Sequence, residues 1–248
     1  MTGASASPTA AVLVIGDEIL SGRTKDANLG IIAEWAGAIG LDLKEARFVT
    51  DEEQDIVTAV NALRARFTYV FTTGGIGPTH DDITADAVAK AFGVPIGHHP
   101  DAVRLLKAYF AEVGREANEA RMRMARVPDG AVLIENKVSR APGFRIENVF
   151  VMAGIPRVMT GMLEAVARMI EPGRPMLSVS IDVAAAEGDI AAPLKDIQAR
   201  HRPAIIGCYP RQEGNRFCAT IVVRARDAAL LEAAAAEVRA LAARLGAA

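Results

Sequence analysis

Only two cysteines, Cys208 and Cys218, occur in 248 residues, too few for a disulfide framework or a cysteine-rich metal site. Both sit among apolar neighbours and read as packed thiols in a reducing compartment. Charge of one sign is missing as well. Lys and Arg total 28 against 30 Asp and Glu, a formal net charge of −2, so no overall field draws the chain to a polyanion. No apolar run reaches the eighteen residues of a membrane span, and no basic-then-apolar leader is present. These absences lead to the expectation of a cytoplasmic protein with neither a nucleic-acid nor a membrane partner. No Gly-Lys-Ser/Thr occurs, which excludes a P-loop, and Gly75-Ile76-Gly77-Pro78-Thr79-His80 lacks the third glycine of the dinucleotide fingerprint. No Ser/His/Asp or Cys/His set stands in a suitable context, which argues against covalent catalysis.

What is present is a large apolar fraction, 51%, enough to bury a substantial core. Residues 1–9 read as a disordered leader. Short apolar runs at 10–15 and 69–71 and a second strand at 41–49 alternate with helical periodicity at 28–39, 51–67 and 82–92. Strand and helix in alternation, joined by short turns, predict a mostly parallel sheet covered by helices on both faces. Helical stretches at 101–113 and 118–126 follow, then short strands at 131–134, 143–146 and 149–152, and a helix to 170. Glu171-Pro172-Gly173-Arg174-Pro175 is the clearest linker. Beyond it, residues 176–248 have a β-α-β-β-α order, a small α+β module. It lacks the Gly-x-x-Gly loop of KH modules, so its expected roles are covering a sheet edge or forming a homo-oligomer interface.

The most informative stretch is 68–86. A buried strand breaks into Gly74, Gly75 and Gly77, and two carboxylates, Asp81 and Asp82, are expected to open the next helix. A glycine turn at a helix start presents bare N–H groups that favour a phosphate. Carboxylates beside a phosphate repel it unless a cation intervenes, so the segment points to a phosphate-bearing ligand held with a divalent ion such as Mg²⁺. Thr73, Pro78, Thr79 and Thr84 belong to this constellation. The alternative is that Asp81 or Asp82 only caps the helix. Ligands of parallel sheets gather beyond the carboxyl ends of the strands, and three further features fall there. They are Gly16-Asp17-Glu18, Thr50-Asp51 and Gly154-Ile155-Pro156. Asn28 is either a ligand contact or a helix cap. Asn136 and Lys137 follow an apolar strand, where Lys137 either neutralises a phosphate or is solvated. Arg121, Arg123 and Arg126 form either an anion patch or a wet helix face.

The run Thr73-Gly74-Gly75-Ile76-Gly77-Pro78-Thr79-His80-Asp81-Asp82-Ile83-Thr84 resembles the signature of the MoaB/Mog molybdopterin-binding family. It is most similar to the branch of competence/damage-inducible protein A (CinA) and to the corresponding domain of FAD synthases. The likeness extends to Gly16-Asp17-Glu18-Ile19-Leu20-Ser21-Gly22 with Asn28, to Asn118-Glu119-Ala120-Arg121, to Asn136 with Ala141-Pro142-Gly143-Phe144, and to Gly154-Ile155-Pro156. It covers residues 10–170, and the C-terminal module resembles the one following this domain in those relatives. The resemblance implies a three-layer α/β/α fold whose glycine segment holds a pyrophosphate or a pterin phosphate. It implies catalytic roles for Asp51 and Asp82, a metal at Asp82 with Asp81, and Mg²⁺, Mn²⁺ or Co²⁺ as the ion. In the CinA-like branch it implies cleavage of ADP-ribose or FAD-type pyrophosphates; in the Mog branch, molybdopterin binding or adenylylation. A non-catalytic binding or scaffold protein is the third possibility. Two departures bear on ligand shape: Ala153 and Arg157 flank Gly154-Ile155-Pro156 where relatives differ, and Arg140 precedes Ala-Pro-Gly-Phe. The deamidase domain of full-length CinA proteins is not expected, since the sequence ends at residue 248.

Overall fold

The run from Ala10 to Ile15 has no polar alternation, and it becomes the central strand β1 (Thr9–Ile15), with every residue from Ala10 onward buried. A strand covered on both faces needs apolar side chains on both. In this computed structural model residues 7–213 and 216–246 are described, and the chain divides after Gly173 into two compact units. Residues 1–6 of the expected leader lie outside the described residues, while Thr9 already pairs with Asp42.

After β1 the first unit runs α1 (Asp17–Leu20), α2 (Asn28–Ala38), β2 (Asp42–Val49), α3 (Glu53–Arg64), β3 (Tyr69–Thr73), α4 (Thr84–Phe92) and β4 (Ile96–His98). It continues with α5 (Pro100–Glu112), α6 (Glu119–Met122), β5 (Arg126–Pro128), β6 (Val132–Ile134), β7 (Gly143–Ile146), β8 (Val149–Met152) and α7 (Pro156–Ala167). The six-stranded sheet has the order β2-β1-β3-β8-β7-β6. Its first four strands are parallel, and β7 and β6 extend it antiparallel. The fold is thus the expected α/β/α arrangement with a mostly parallel sheet.

One face of the sheet packs Val12, Val14, Phe71, Phe150 and Met152 with Ile32 and Ala36 of α2 and Met159, Met162 and Val166 of α7. The other packs Leu13, Ile15, Val70 and Val151 with Ile56, Val60 and Leu63 of α3 and Val88 of α4. On the first face Trp35 meets Phe71 edge-on at 5.4 Å, and Phe71 lies 5.4 Å from Phe150.

Three local expectations are corrected. The helix expected from Asp82 begins at Thr84, because the Asp82 carboxylate turns back to accept hydrogen bonds from Thr79. Neither aspartate caps it; the N-cap position is Ile83, without a side-chain cap. The helix expected over 118–126 is instead α6 followed by a short 3₁₀ turn at Arg123–Ala125. Val127-Pro128 then prefers extended backbone, and β5 pairs with β4 in a two-stranded ribbon that the sequence did not announce.

The second unit consists of β9 (Leu177–Val183), α8 (Glu187–Arg200), β10 (Ile205–Glu213), β11 (Arg216–Ala225) and α9 (Ala228–Gly246). Its antiparallel sheet has the order β10-β11-β9. Ile181, Val183, Ile221 and Val223 form a core of its own with Ile190 and Leu194 of α8 and Val238 and Leu241 of α9. Among the described residues no helix is long and apolar enough to cross a membrane.

Candidate functional site

The register levels the carboxyl ends of the four parallel strands. Ile15 stands beside Val49, Val14 beside Thr73, and Thr73 beside Met152. The segments that follow these strands, 16–18, 50–51, 74–82 and 153–156, therefore emerge on one rim in adjacent positions. Hydrogen bonds tie them together. Asp17 N donates to Asp51 Oδ2 at 2.9 Å, and Asp51 N returns a bond to Asp17 Oδ1 at 3.3 Å. Gly74 N donates to Met152 O at 3.3 Å, and Asn28 Nδ2 donates to Gly154 O at 2.7 Å.

The glycine turn is built by close approach. Gly74 has φ +105°, and a Cβ there would lie 2.1 Å from Ile15 O. Gly75 has φ +65°, and its Cβ would lie 2.2 Å from Thr84 Oγ1. Neither position admits a side chain without moving backbone or the buried Thr84, whose hydroxyl donates to Gly74 O at 3.0 Å. The turn is thus held from below by Thr84, and Asp82 closes it by accepting from Thr79 N at 2.8 Å and from the Thr79 hydroxyl.

Above the turn lies a cleft of about 810 Å³. Its lining combines Glu18, Asp82 and the turn residues Gly74, Gly75, Gly77 and Pro78 with the apolar Tyr109, Phe110, Val113, Met124, Val158 and Met162. The volume suits a nucleotide-sized ligand, and a lining that mixes apolar side chains with glycine backbone and carboxylates suits a flat ring attached to phosphate. Gly154, Ile155 and Pro156 line the cleft beside the turn.

Burial raises the pKa of Asp51 above the ordinary carboxylate value, and the nearby charges of Asp17, Glu18 and Asp81 push it further up, against the Asp17 N–H that stabilises the anion.

Among the residues expected at the site, Glu18, Gly74, Gly75, Gly77, Pro78, Asp82, Gly154 and Pro156 line the cleft. Asp17 and Asp51 stand on the same rim, clasped to one another. Thr73 and Asn28 lie buried, and Asn28 Oδ1 and Thr73 Oγ1 have no hydrogen-bond partner. Asn28 is not the helix cap; the Asp26 carboxylate accepts from Asn28 N and Leu29 N instead. Asn136 is buried with its polar atoms engaged inside its own loop, by Val138 N, Ser139 and Ala141 O, so it shapes the wall that carries Ser139 and Ala141. Lys137 pairs at the surface with Glu164. Asp81 is exposed and does not line the cleft, and the His80 side chain is 99% exposed.

Sequence reasoning missed the apolar wall. Tyr109, Phe110 and Val113 lie at the carboxyl end of α5 and just past it, far in sequence from the glycine turn. The available signal was two adjacent aromatic residues in a chain with 5% aromatics, followed by a valine that stays 44% exposed.

Comparisons with known proteins agree with this fold. Residues 11–173 match the family described as "Probable molybdopterin binding domain", and residues 175–245 match "FAD synthase, middle domain". A CinA-like protein of Syntrophotalea carbinolica is 34% identical over 158 residues, covering 62% of this chain and 38% of its own length. A protein of Aeropyrum pernix is 31% identical over 244 residues, covering 94% of this chain and 91% of its own. The crystal structure of CinA from Thermoplasma acidophilum, a protein of unknown function, superposes with a TM-score of 0.62 at 30% identity, over 67% of this chain and all of that one. The chain thus spans well under half the length of the CinA-like protein of S. carbinolica.

Proposed function

The chain belongs to the "Probable molybdopterin binding domain" family, and from that premise and the rim geometry we propose that it binds a phosphate-bearing nucleotide or pterin and cleaves ADP-ribose- or FAD-type pyrophosphates with a divalent metal. The observation that carries the reading is that the glycine turn and Asp82 line one cleft together with apolar side chains, while Asp51, clasped to Asp17, follows an adjacent strand of the same rim.

The metal part rests on a specific mode of binding. Among the described residues no three His, Cys, Asp or Glu side chains form a group able to hold an ion, so the rim offers no closed protein cage. Mg²⁺ typically uses one or two carboxylates together with ligand phosphates. Asp82, which lines the cleft, fits that mode as one such carboxylate, whereas Asp81 is exposed outside the lining; a cation there would offset the charges of Asp17, Glu18 and Asp81 that add to the raised pKa of Asp51. When bound, the ion supplies charge neutralisation on the phosphate oxygens. Backbone amides of the glycine turn hold the phosphates, and Tyr109, Phe110 and Met162 keep water from the ring. Asp51 orients the attacking water and accepts its proton, a task suited to a carboxylate with a raised pKa. Water adds to one phosphorus as the bridging P–O bond breaks, so ADP-ribose yields AMP and ribose 5-phosphate. Charge stabilisation carries the reaction and no covalent intermediate is needed.

Incubation with ADP-ribose, FAD or ATP in the presence of Mg²⁺, Mn²⁺ or Co²⁺ tests this. AMP release that falls about 10²–10³-fold in Asp82→Ala supports it. Molybdopterin binding or adenylylation at the same floor is the second reading, favoured by the family model matched over 11–173. Tight ligand binding with no turnover under any metal supports a binding or scaffold protein instead.

A further inference from the structure

Three arginines follow one another at spacing two and three, Arg121, Arg123 and Arg126, and the structure treats them differently. Arg121 Nη1 donates to Glu116 O at 2.5 Å, and its guanidinium lies over the Phe110 ring at 5.3 Å. Arg126 makes a two-pronged pair with Asp86, at 2.8 and 2.6 Å. Arg123 has no such anchor. Its Nη2 reaches Asp82 O at 3.5 Å, and its buried Nε finds no acceptor among the described residues. A guanidinium held at a site without its hydrogen bonds is destabilising unless something else completes them. Arg123 lines a small cavity with Gly75, Ile76, Gly77, Asp82 and Met124, all of which also line the large cleft. The unsatisfied cation therefore stands directly beside the glycine turn.

We propose that Arg123 reads the second phosphate of a diphosphate-bearing ligand, so that the site selects nucleoside diphosphates and pyrophosphate-linked dinucleotides over monophosphates. The inference rests on the glycine turn being the phosphate seat, as set out under the proposed function. The amides of one turn suffice for one phosphate. A second phosphate brings more negative charge onto a rim that already holds Asp17, Glu18, Asp51 and Asp82. A planar guanidinium with free donors is the group that offsets it, and its fork fits two phosphate oxygens. Arg126 lines the same small cavity, but its fork is committed to Asp86; Arg121 lies outside that cavity, with Nη1 on Glu116 O and its guanidinium over Phe110. Arg115 also lines the cleft, but on the side of Val113 and Phe110 rather than among the residues of the glycine-turn cavity.

The test is calorimetric titration of the full chain with AMP and with α,β-methylene-ADP, whose carbon bridge resists cleavage, both with Mg²⁺. The wild-type chain binds the diphosphate analogue more tightly. Arg123→Gln loses about tenfold in affinity for the analogue but about twofold or less for AMP, with a melting temperature of the free chain no lower than wild type. Arg123→Lys keeps the charge without the fork and falls between, a loss of about threefold. Arg121→Gln leaves the ratio as in wild type. A wild-type ratio retained in both Arg123 variants, or the same shift in Arg121→Gln, overturns the assignment while leaving the phosphate seat intact. Wild-type chain that binds neither nucleotide overturns the phosphate seat itself.

Discussion

Burial and the charges of Asp17, Glu18 and Asp81 raise the pKa of Asp51, so folding favours its protonated form. The folded chain therefore loses stability as pH rises through that raised value, and Asp51→Asn removes the loss while its Oδ1 still accepts from Asp17 N. Thermal melts should show Asp51→Asn more stable than wild type at pH 7.5, with the gain shrinking towards pH 4, and the same variant inactive. An equal effect at both pH values contradicts the assignment. At Gly75 the argument is steric. An alanine at φ +65° would place its Cβ 2.2 Å from Thr84 Oγ1, so Gly75→Ala should cost about 1–3 kcal/mol in denaturant unfolding and abolish nucleotide binding. A fully stable, binding-competent Gly75→Ala protein contradicts this picture of the turn.

At the scale of elements, the inner parallel strands β1, β3 and β8 were legible as short buried runs, while the outer strand β2 (Asp42–Val49) carries four charged residues and is half exposed along its length. The rim followed from them, because the carboxyl ends of adjacent parallel strands share one edge. What local pattern did not reveal is where a side chain turns once the chain is closed. Asp82 looks like a cap in sequence but closes the turn on Thr79, and Asn136 looks free but is consumed by its own loop. The ribbon of β4 and β5 has three residues per strand, too short for alternation to register, and is held to α4 by Arg126 and Asp86. On the face of α2 and α7, Phe71 is fully buried between Trp35 and Phe150. Phe71→Ala should lower stability by about 3–5 kcal/mol and shift the emission of the single tryptophan, which lies against that ring. An unchanged midpoint and spectrum would mean the stack is not part of the core.

On the scale of the molecule, the two units have separate cores, and every residue lining the cleft belongs to the first. A chain ending at Gly173 should keep the cleft and bind nucleotide with an affinity within about twofold of the full chain, since no lining contact is removed. Light scattering of the same two chains checks whether residues 176–248 mediate self-association; an oligomer unchanged by the truncation excludes that role. The most direct measurement of the whole account is the crystal structure of Asp82→Asn soaked with ADP-ribose and Mg²⁺. The account predicts the diphosphate against the backbone N–H groups of Gly75, Ile76 and Gly77, with a flat ring against Tyr109 and Met162. Phosphates bound away from the glycine turn, or a cleft closed by its own side chains, would contradict it.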